Sequence, residues 1–314
     1  MSTKLAFVFP GQGSQSIGML SDLAEEYKSV SATFAEASDA LGMDLWALIQ
    51  NGPEEELNKT ENTQPALLTA STAIWRIWQE NNGQQPSMLA GHSLGEYSAL
   101  VAADVLSLSD AAKLVHQRGQ FMQQAVAPGE GSMAAIIGLE DTGVEQACAD
   151  AGQGQVVSAV NYNSPGQVVI AGEKTAVDRA MDLCKEAGAK RALPLAVSVP
   201  SHCALMEPAA KQLEQILADV EFKIPSIPVI NNVDAKAETS PDAIKSALVR
   251  QLHNPVRWVA GVNAMVEEGV DATYECGPGK VLSGLIKRIN KQLDIKPLQD
   301  VASFQAAIAV KDSE

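Results

Sequence analysis

The pentapeptide Gly91-His92-Ser93-Leu94-Gly95 constrains the fold of this chain more than any other feature of its sequence. It follows a short apolar run at 88–90 and precedes a helical pattern over about 94–103. A serine on a sharp strand-to-helix turn projects its hydroxyl into a cleft, and glycines flank it because side chains there would clash. The N–H groups of the following helix would face developing negative charge. The pattern therefore predicts that Ser93 is a nucleophile, with an ordinary tight turn as the alternative interpretation.

Composition and charge narrow the class of protein. Of the 314 residues, 46% are hydrophobic and 19% are charged, which is typical of a globular chain. The net charge of −15 argues against general binding to nucleic acid or to an anionic membrane, since both need a basic surface. No apolar run approaches the roughly 18 residues that span a bilayer, and the run at 5–9 is shorter than a signal-peptide core. We therefore expect a cytoplasmic protein, whose four cysteines lack metal-ligand spacing and stay reduced.

Strands alternate with helices along most of the chain, which predicts an α/β core with a parallel sheet covered on both faces. The strands of this sheet are predicted at 5–9, 88–90, 227–230 and 271–275. A helix is predicted with Pro65 in its first turn, where the missing N–H costs nothing, and another near Ser109, a good N-cap. The final helix is predicted to begin at Val281.

The stretch at 130–197 has a different order of elements. Its patterns follow the sequence β-α-β-β-α-β, which is typical of a ferredoxin-like fold. We therefore predict a ferredoxin-like α+β subdomain at 130–197, inserted in a core formed by 1–129 and 198–314. The length of the chain suits one large domain with such an insertion.

A serine nucleophile usually needs a base, and the chain has four histidines. His92 adjoins Ser93 and points the wrong way, and His116 lies on the polar side of its helix. His202 follows a predicted strand end and His253 lies in a loop-like stretch, so both remain candidates. More than 100 residues follow His202, which disfavours a standard α/β-hydrolase, where the histidine lies close to the chain end.

Arg118 lies in an apolar helical stripe with Leu114, Phe121 and Met122, at spacings of three and four residues. An arginine in that stripe would be buried, and a buried charge needs a partner. A guanidinium binds a carboxylate through two parallel hydrogen bonds. The partner is predicted to be a substrate carboxylate, with an internal Asp or Glu as the alternative.

Two glycine-containing segments lack the residues that nucleotide-binding motifs require. The segment that begins Gly11-Gln12-Gly13 has Ser16 where a dinucleotide fingerprint has glycine. Gly279-Lys280 is followed by Val281 instead of the Ser or Thr of a phosphate loop. We therefore expect neither a cofactor nor a bound metal.

Several segments together match one known family. They are Phe9 to Gln15, Thr63 to Ala66, Gly91 to Tyr97, Arg118-Gly119, Asn161 to Gly172, Val199 to His202, Gln251 to Val256 and Gly277 to Lys280. The chain resembles the bacterial malonyl-CoA:acyl-carrier-protein transacylases, which are similar to the acyltransferase domains of fatty-acid and polyketide synthases. The resemblance implies a hydrolase-like α/β core with a ferredoxin-like insert and no cofactor.

The resemblance also implies roles for individual residues. Ser93 would carry the acyl group as an ester, and His202 would be its general base in a dyad without a carboxylate. The backbone carbonyl of Gln251 would orient His202. The backbone N–H groups of Gln12 and Leu94 would form the oxyanion hole.

The substrates implied by the resemblance are malonyl-CoA and acyl carrier protein. Arg118 would bind the malonyl carboxylate, and the space around Met122 and Ser201 would decide whether methylmalonyl is excluded. Asn163, like Asn161, flanks a predicted turn and is expected to stabilise it, although the resemblance also allows contact with the substrate. The acyl group would pass in a ping-pong reaction from CoA to the phosphopantetheine thiol of the carrier, in fatty-acid biosynthesis.

A basic patch is predicted to attract the acidic carrier protein despite the overall negative charge. The stretch 280–296 has five basic residues against Asp294, a net charge of +4. Lys287, Arg288 and Lys291 share one side of the predicted final helix, and Lys190 and Arg191 add to the patch. A solvated helix face is the alternative interpretation.

Other functions stay open from the sequence. A serine esterase or thioesterase on the same scaffold would use water as acceptor, and an acyltransferase could prefer another acyl group. A non-catalytic binding module is disfavoured because the nucleophile, base and arginine occur together. The resemblance suggests a monomer.

Overall fold

The computed structural model describes residues 3–197 and 199–309. The strands are β1 (Leu5–Phe9), β2 (Met88–Gly91), β3 (Gly131–Ile137), β4 (Val157–Ser164), β5 (Gln167–Glu173), β6 (Arg191–Pro194), β7 (Val229–Ile230), β8 (Ala272–Glu275) and β9 (Asp294–Pro297). The helices are α1 (Ser21–Glu26), α2 (Lys28–Leu41), α3 (Leu45–Asn51), α4 (Glu54–Leu57), α5 (Thr60–Glu80), α6 (Gly95–Ala102), α7 (Leu108–Ala125), α8 (Asp141–Gly152), α9 (Lys174–Glu186), α10 (Glu207–Ala218), α11 (Pro241–His253), α12 (Trp258–Glu267), α13 (Val281–Ile289) and α14 (Val301–Ala309). A short 3₁₀ helix at Ala204–Met206 precedes α10.

The core is built around a parallel five-stranded sheet in the order β7-β2-β1-β8-β9. The central strand β1 is buried along its whole length, which explains its uninterrupted apolar sequence. Its Phe7 packs edge-to-face against Trp75 and Trp78 of α5. Val8 points to the opposite face, where α12 and α13 supply the apolar cover. Helices on both faces thus hold the carboxyl ends of β1 and β2 in place beside each other.

A second sheet is antiparallel, in the order β4-β5-β3-β6. This is the strand order of a ferredoxin-like βαββαβ unit, and α8 and α9 cover one of its faces. The other face packs towards the core at the buried Cys203. The α/β fold class with a parallel sheet and this second sheet is confirmed. The domain boundaries stay predictions, and residue 198 lies outside the described residues.

One predicted helix start is wrong by several residues, and the N-cap of another helix lies two residues before the predicted one. The helix expected to have Pro65 in its first turn begins at Thr60. The proline is tolerated inside α5 because the Glu61 carbonyl, which it leaves without an intrahelical donor, accepts a hydrogen bond from His116 Nδ1 at 2.9 Å. Helix α7 starts at Leu108, since Ser107 rather than Ser109 is the N-cap and its Oγ accepts from the N–H of Asp110.

The predicted final helix, α13, is followed by β9 and α14. Lys291 lies beyond the end of α13 at Ile289, so it does not share that helix with Lys287 and Arg288. Within residues 3–197 and 199–309, no helix is long and apolar enough to cross a bilayer.

Candidate active site

Ser93 lies on a strained turn between β2 and α6. Its φ angle is 51°, in the left-handed region that residues other than glycine rarely adopt. A Cβ atom on Gly91 would lie 1.9 Å from the carbonyl carbon of Gly95, and one on Gly95 would lie 2.0 Å from the carbonyl oxygen of Phe9. Both glycines are therefore required for the turn to close against β1, as the pentapeptide predicts.

His202 is the histidine that contacts the serine. Its Nε2 lies 2.8 Å from Ser93 Oγ, and its Nδ1 donates to the backbone carbonyl oxygen of Gln251 at 2.7 Å. The Nδ1 hydrogen bond leaves Nε2 unprotonated and able to accept the serine proton. Burial, followed by the positive charge of Arg118, lowers the pKa of His202 from 6.5 to about 3. The imidazole is therefore neutral and ready to act as a base at neutral pH.

The other three histidines have different surroundings in the described part of the chain. His92 Nε2 lies 2.8 Å from Asn163 Oδ1, and His116 bonds to Glu61 and Gln120. His253, the second candidate from sequence, ends α11 and has a buried Nδ1 without a hydrogen-bond partner among the described residues. The structure thus brings His202, and not His253, to Ser93.

Gln12 and Leu94 lie where an oxyanion hole would be expected. Both line the cavity that contains Ser93; Gln12 lies in the turn after β1, and Leu94 lies in the turn after β2. Among the described residues, neither backbone N–H donates a hydrogen bond within the protein. Two free donors beside a nucleophile can stabilise a negatively charged oxygen.

Arg118 is buried, with 1% of its surface exposed. Its Nη1 donates to Gln64 Oε1 at 2.8 Å, and its Nη2 donates to Gln251 Oε1 at 3.0 Å and to Ser93 Oγ at 3.4 Å. Its guanidinium carbon lies 5.4 Å from the ring centre of Tyr97. Burial lowers the pKa of Arg118. The contacts hold the guanidinium beside the nucleophile.

No carboxylate of the described residues lies within ion-pair distance of Arg118, so the alternative of an internal salt bridge is not observed. Neutral amide oxygens hold the cation, and its buried Nε has no hydrogen-bond partner among the described residues. A cation that is buried, pointed at a nucleophile and lacking a carboxylate can bind a substrate carboxylate.

The cavity at the site has a volume of about 230 Å³. Met122 and Ser201 line it, as does Asn161. Asn163 is not among the residues that line it, and its contact with the substrate stays a prediction. Asn163 lies within β4, at a shift of register between Tyr162 and Ser164, and the shift accompanies its contact with His92.

Two buried polar residues of the site, Gln64 and Asn232, and the side-chain contact of Gln251 were not predicted from the sequence. Gln64 and the side chain of Gln251 bind Arg118, and Asn232 accepts from the Ser93 N–H at 2.7 Å and donates to the Gly91 carbonyl at 2.6 Å. Gln64 and Gln251 lie in matched family segments. Each is a polar residue in an apolar helical stripe, and this pattern could have indicated a buried hydrogen-bonding role.

The predicted basic patch lies at one end of the antiparallel sheet. Lys287, Arg288, Lys190 and Arg191 are exposed, and Arg288 Nη1 donates to Gln167 Oε1. Ile137 of β3 pairs with Gln167 of β5 on one side and with Arg191 of β6 on the other. Two strand spacings, about 10 Å, therefore separate the two halves of the patch at Gln167 and Arg191.

The dyad of Ser93 and His202 on an α/β core, with Arg118 beside the serine, is the arrangement expected of an enzyme that acts on acyl groups. Comparison with known proteins agrees. The family model described as "Acyl transferase domain" matches residues 6–307, so the chain belongs to the acyl transferase family.

Its relatives share most of their length with this chain. It is 62% identical over 306 residues to the malonyl CoA-acyl carrier protein transacylase of Escherichia coli K12, covering 98% of this chain and 99% of that protein. The Bacillus subtilis protein of the same name is 46% identical over 313 residues, with 99% and 98% covered.

Solved structures resemble the whole fold. An acyl carrier protein S-malonyltransferase from Vibrio cholerae superposes with a TM-score of 0.95 at 65% identity, covering 97% of this chain and 99% of that one. A malonyl-transacylase named PlMCAT, solved in complex with the type II polyketide synthase acyl-carrier protein AntF, gives 0.97 at 60% identity, covering 98% and 100%. The chain is therefore an acyltransferase.

Proposed function

We propose that the protein transfers the malonyl group of malonyl-CoA to the phosphopantetheine thiol of acyl carrier protein, in fatty-acid biosynthesis. The observation that carries this proposal is the buried guanidinium of Arg118, whose Nη2 lies 3.4 Å from Ser93 Oγ and which has no carboxylate partner among the described residues. The relatives named above are malonyl transacylases, which supports malonyl as the acyl group.

The first half-reaction loads the serine. His202 Nε2 takes the proton of Ser93 Oγ as that oxygen attacks the thioester carbonyl of malonyl-CoA. The N–H groups of Gln12 and Leu94 stabilise the oxyanion of the tetrahedral intermediate. Collapse breaks the C–S bond, and the CoA thiolate leaves with the proton that His202 returns.

The second half-reaction repeats the chemistry with a different thiol. The phosphopantetheine thiol of the carrier gives its proton to His202 and attacks the ester carbonyl. The C–O bond to Ser93 breaks, and Oγ recovers its proton from His202. No second nucleophile is needed, so the reaction follows a ping-pong scheme.

Arg118 positions the malonyl group in the cavity. Two parallel N–H···O hydrogen bonds to the malonyl carboxylate would satisfy the buried cation and turn the thioester carbonyl towards Ser93. Met122 and Ser201 line the cavity beside it and would limit substitution on the methylene carbon. An unpaired guanidinium disfavours acyl groups that lack a carboxylate, because the cation would remain buried without a partner.

The carrier protein would dock on the basic patch formed by Lys190, Arg191, Lys287, Arg288 and Lys291, all of them exposed. The hydrogen bond from Arg288 to Gln167 holds one half of that patch, on α13, against β5 of the antiparallel sheet. We expect the protein to act as a monomer in the cytoplasm.

A serine thioesterase remains the second candidate on this scaffold, because a dyad can also activate water. The decisive experiment exposes the protein to malonyl-CoA and analyses the peptide that contains Ser93 by mass spectrometry. A malonyl ester that persists until acyl carrier protein is added supports transfer. An ester that disappears at the same rate with and without the carrier supports hydrolysis, and the absence of any ester excludes the proposed reaction.

A further inference from the structure

Gln251 serves both catalytic groups. Its backbone carbonyl accepts from His202 Nδ1 at 2.7 Å, and its side-chain Oε1 accepts from Arg118 Nη2 at 3.0 Å. The side chain is completely buried. A shift of this residue would therefore disturb the base and the carboxylate subsite together.

The amide of Gln251 has two orientations of nearly equal shape, and only its neighbours distinguish them. Its Nε2 lies 2.8 Å from Glu96 Oε2 and 3.1 Å from the backbone carbonyl oxygen of Ser93. Both neighbours are acceptors, so the NH₂ group must face them. The oxygen then faces Arg118, where a flipped amide would instead present N–H groups to a guanidinium.

Glu96 is well placed to set this orientation. It lies in the first turn of α6, three residues after the nucleophile, with 2% of its surface exposed. Its Oε2 also accepts from the backbone N–H of Asn232 at 2.9 Å. Asn232 in turn bonds to the Ser93 N–H and the Gly91 carbonyl, so Glu96 is also tied to the turn that carries the nucleophile.

We propose that Glu96 is a positioning residue, which fixes the Gln251 amide and thereby keeps Arg118 aimed at the substrate carboxylate. The amide separates two opposite charges that would otherwise pair. A direct ion pair would occupy the guanidinium and compete with the substrate. With the Gln251 amide between them, the negative charge of Glu96 offsets the positive charge of Arg118. The side of the guanidinium that faces Ser93 remains free to bind the substrate carboxylate. This inference rests on the proposed role of Arg118 in binding malonyl.

The first test is selectivity in the loading half-reaction. Glu96→Gln keeps the shape of the side chain but removes its charge. It also introduces an NH₂ group that can face the NH₂ group of Gln251, where two donors cannot form a hydrogen bond. The KM for malonyl-CoA should rise and the ratio of malonyl to acetyl kcat/KM should fall about tenfold, as expected when a hydrogen bond to a charged group is lost. Acetyl loading should fall less than malonyl loading, because acetyl has no carboxylate for Arg118 to bind.

The matched control is Glu238→Gln. Glu238 lines the same small cavity as Glu96, and its carboxylate pairs with Lys236 at 3.2 Å. This variant removes a nearby charge without touching Gln251, so selectivity should stay at the parent level. If it lowers selectivity as much as Glu96→Gln does, the effect is general electrostatics and the proposal is wrong.

A double-mutant cycle separates this inference from the proposed function. If Glu96 acts through Arg118, then Glu96→Gln should change selectivity in the parent but not in an Arg118→Ala background. Should Arg118→Ala itself leave selectivity unchanged, the proposed role of Arg118 fails. Should Arg118→Ala abolish selectivity while Glu96→Gln leaves it intact, only the role of Glu96 fails.

The pH dependence of selectivity in the parent enzyme provides a further test. Burial raises the pKa of Glu96 to about 7, against the lowering effect of its hydrogen bonds from Gln251 and Asn232. The titratable or charged groups that face it are Arg118, Tyr97, Asp234, Glu238 and Arg250, and His202 lies nearby at Ser93. His202 has a pKa of about 3 and Tyr97 of about 12, so neither titrates near neutrality.

As the pH falls through about 7, Glu96 gains a proton, and the hydrogen bond that its carboxylate accepts from the Gln251 NH₂ group weakens. The ratio of malonyl to acetyl loading in the parent should therefore fall, and Glu238→Gln should not alter that dependence. Glu96→Gln has no titrating carboxyl at this position, so its ratio should not change with pH over the same range; an equal fall of the ratio in the parent and in Glu96→Gln would overturn the proposal.

Discussion

The Nδ1 atom of His202 lies 2.7 Å from the backbone carbonyl oxygen of Gln251. In a Ser-His-Asp triad a carboxylate occupies this place and stabilises the imidazolium. A carbonyl dipole fixes the same tautomer but supplies no full negative charge. Because the same residue binds Arg118 through its side chain, the orientation of the base and the position of the substrate carboxylate depend on one buried glutamine.

Ser93→Ala should abolish the covalent malonyl ester while malonyl-CoA binding stays detectable, because Arg118 and the cavity are untouched. Intact-protein mass spectrometry after exposure to malonyl-CoA measures the ester, and calorimetry measures binding.

In the parent, double-reciprocal plots at several carrier concentrations should be parallel, as a ping-pong scheme requires. Intersecting lines would contradict the Ser93 intermediate.

Arg118→Ala should shift selectivity from malonyl towards neutral acyl groups. The lost carboxylate contact corresponds to about 2–5 kcal/mol when the partner charges are buried. Loading of acetyl should fall much less, since acetyl has no carboxylate to leave unpaired. The measurement is kcat/KM for both CoA thioesters, with Arg118→Lys as the variant that keeps the charge and loses the paired geometry. An equal drop for both substrates would mean that Arg118 is structural.

Acetyl loading should be nearly independent of pH between about pH 5 and pH 8. Burial and the charge of Arg118 lower the pKa of His202 to about 3, so the base stays neutral over that range. The rate of acetyl-ester formation on Ser93, followed by rapid quench, measures this directly. A decline with a midpoint near 6.5, the ordinary value of histidine, would show that His202 is not held neutral.

The same depressed pKa affects stability. The unfolded chain binds a proton at His202 from about pH 6.5 downwards, whereas the folded protein does so only near pH 3. The free energy of unfolding should therefore fall as the pH drops through this window. Denaturant titrations at about pH 7 and pH 4 should show a smaller loss for His202→Gln than for the parent, because the variant no longer has this titrating group.

The strongest sequence signals were local, and the structure agrees with them. The glycines around Ser93 and the apolar strand at 5–9 specify their conformations within a few residues, so both were predictable. The start of α5 was predicted wrongly from Pro65, because the proline is tolerated inside the helix only through a contact with His116 of α7. A contact between segments that are distant in the sequence cannot be predicted from the local residue pattern.

The site was predictable only in part, for the same reason. Burial of Arg118 followed from the helical stripe, but its partners Gln64 and Gln251 lie 54 and 133 residues away along the chain. The choice between His202 and His253 likewise depended on tertiary placement. Asn163 flanks the turn between β4 and β5 as predicted, but its contact with His92, 71 residues away along the chain, was not predictable from the local pattern.

Charge reversal at Lys287 and Arg288 should weaken use of the carrier protein without affecting malonyl loading of Ser93. Both side chains are exposed on α13, and loading needs only the CoA thioester. A contact at the rim of an interface acts mainly on the association rate and its salt dependence. Since the Debye length is about 8 Å at about 0.15 M salt, added salt should raise the carrier KM of the parent. The doubly reversed variant should respond less to salt, because the attraction being screened is gone.

The matched control for this prediction is charge reversal at Lys211, an exposed residue of α10 outside the basic patch. It changes the net charge in the same direction, so it should leave the carrier KM close to that of the parent if docking is local. Measuring both half-reactions for each variant separates docking from folding, since a folding defect lowers loading and transfer by the same factor. An unchanged carrier KM in the Lys287 and Arg288 variant, or an equal rise in the Lys211 variant, would place the docking surface elsewhere.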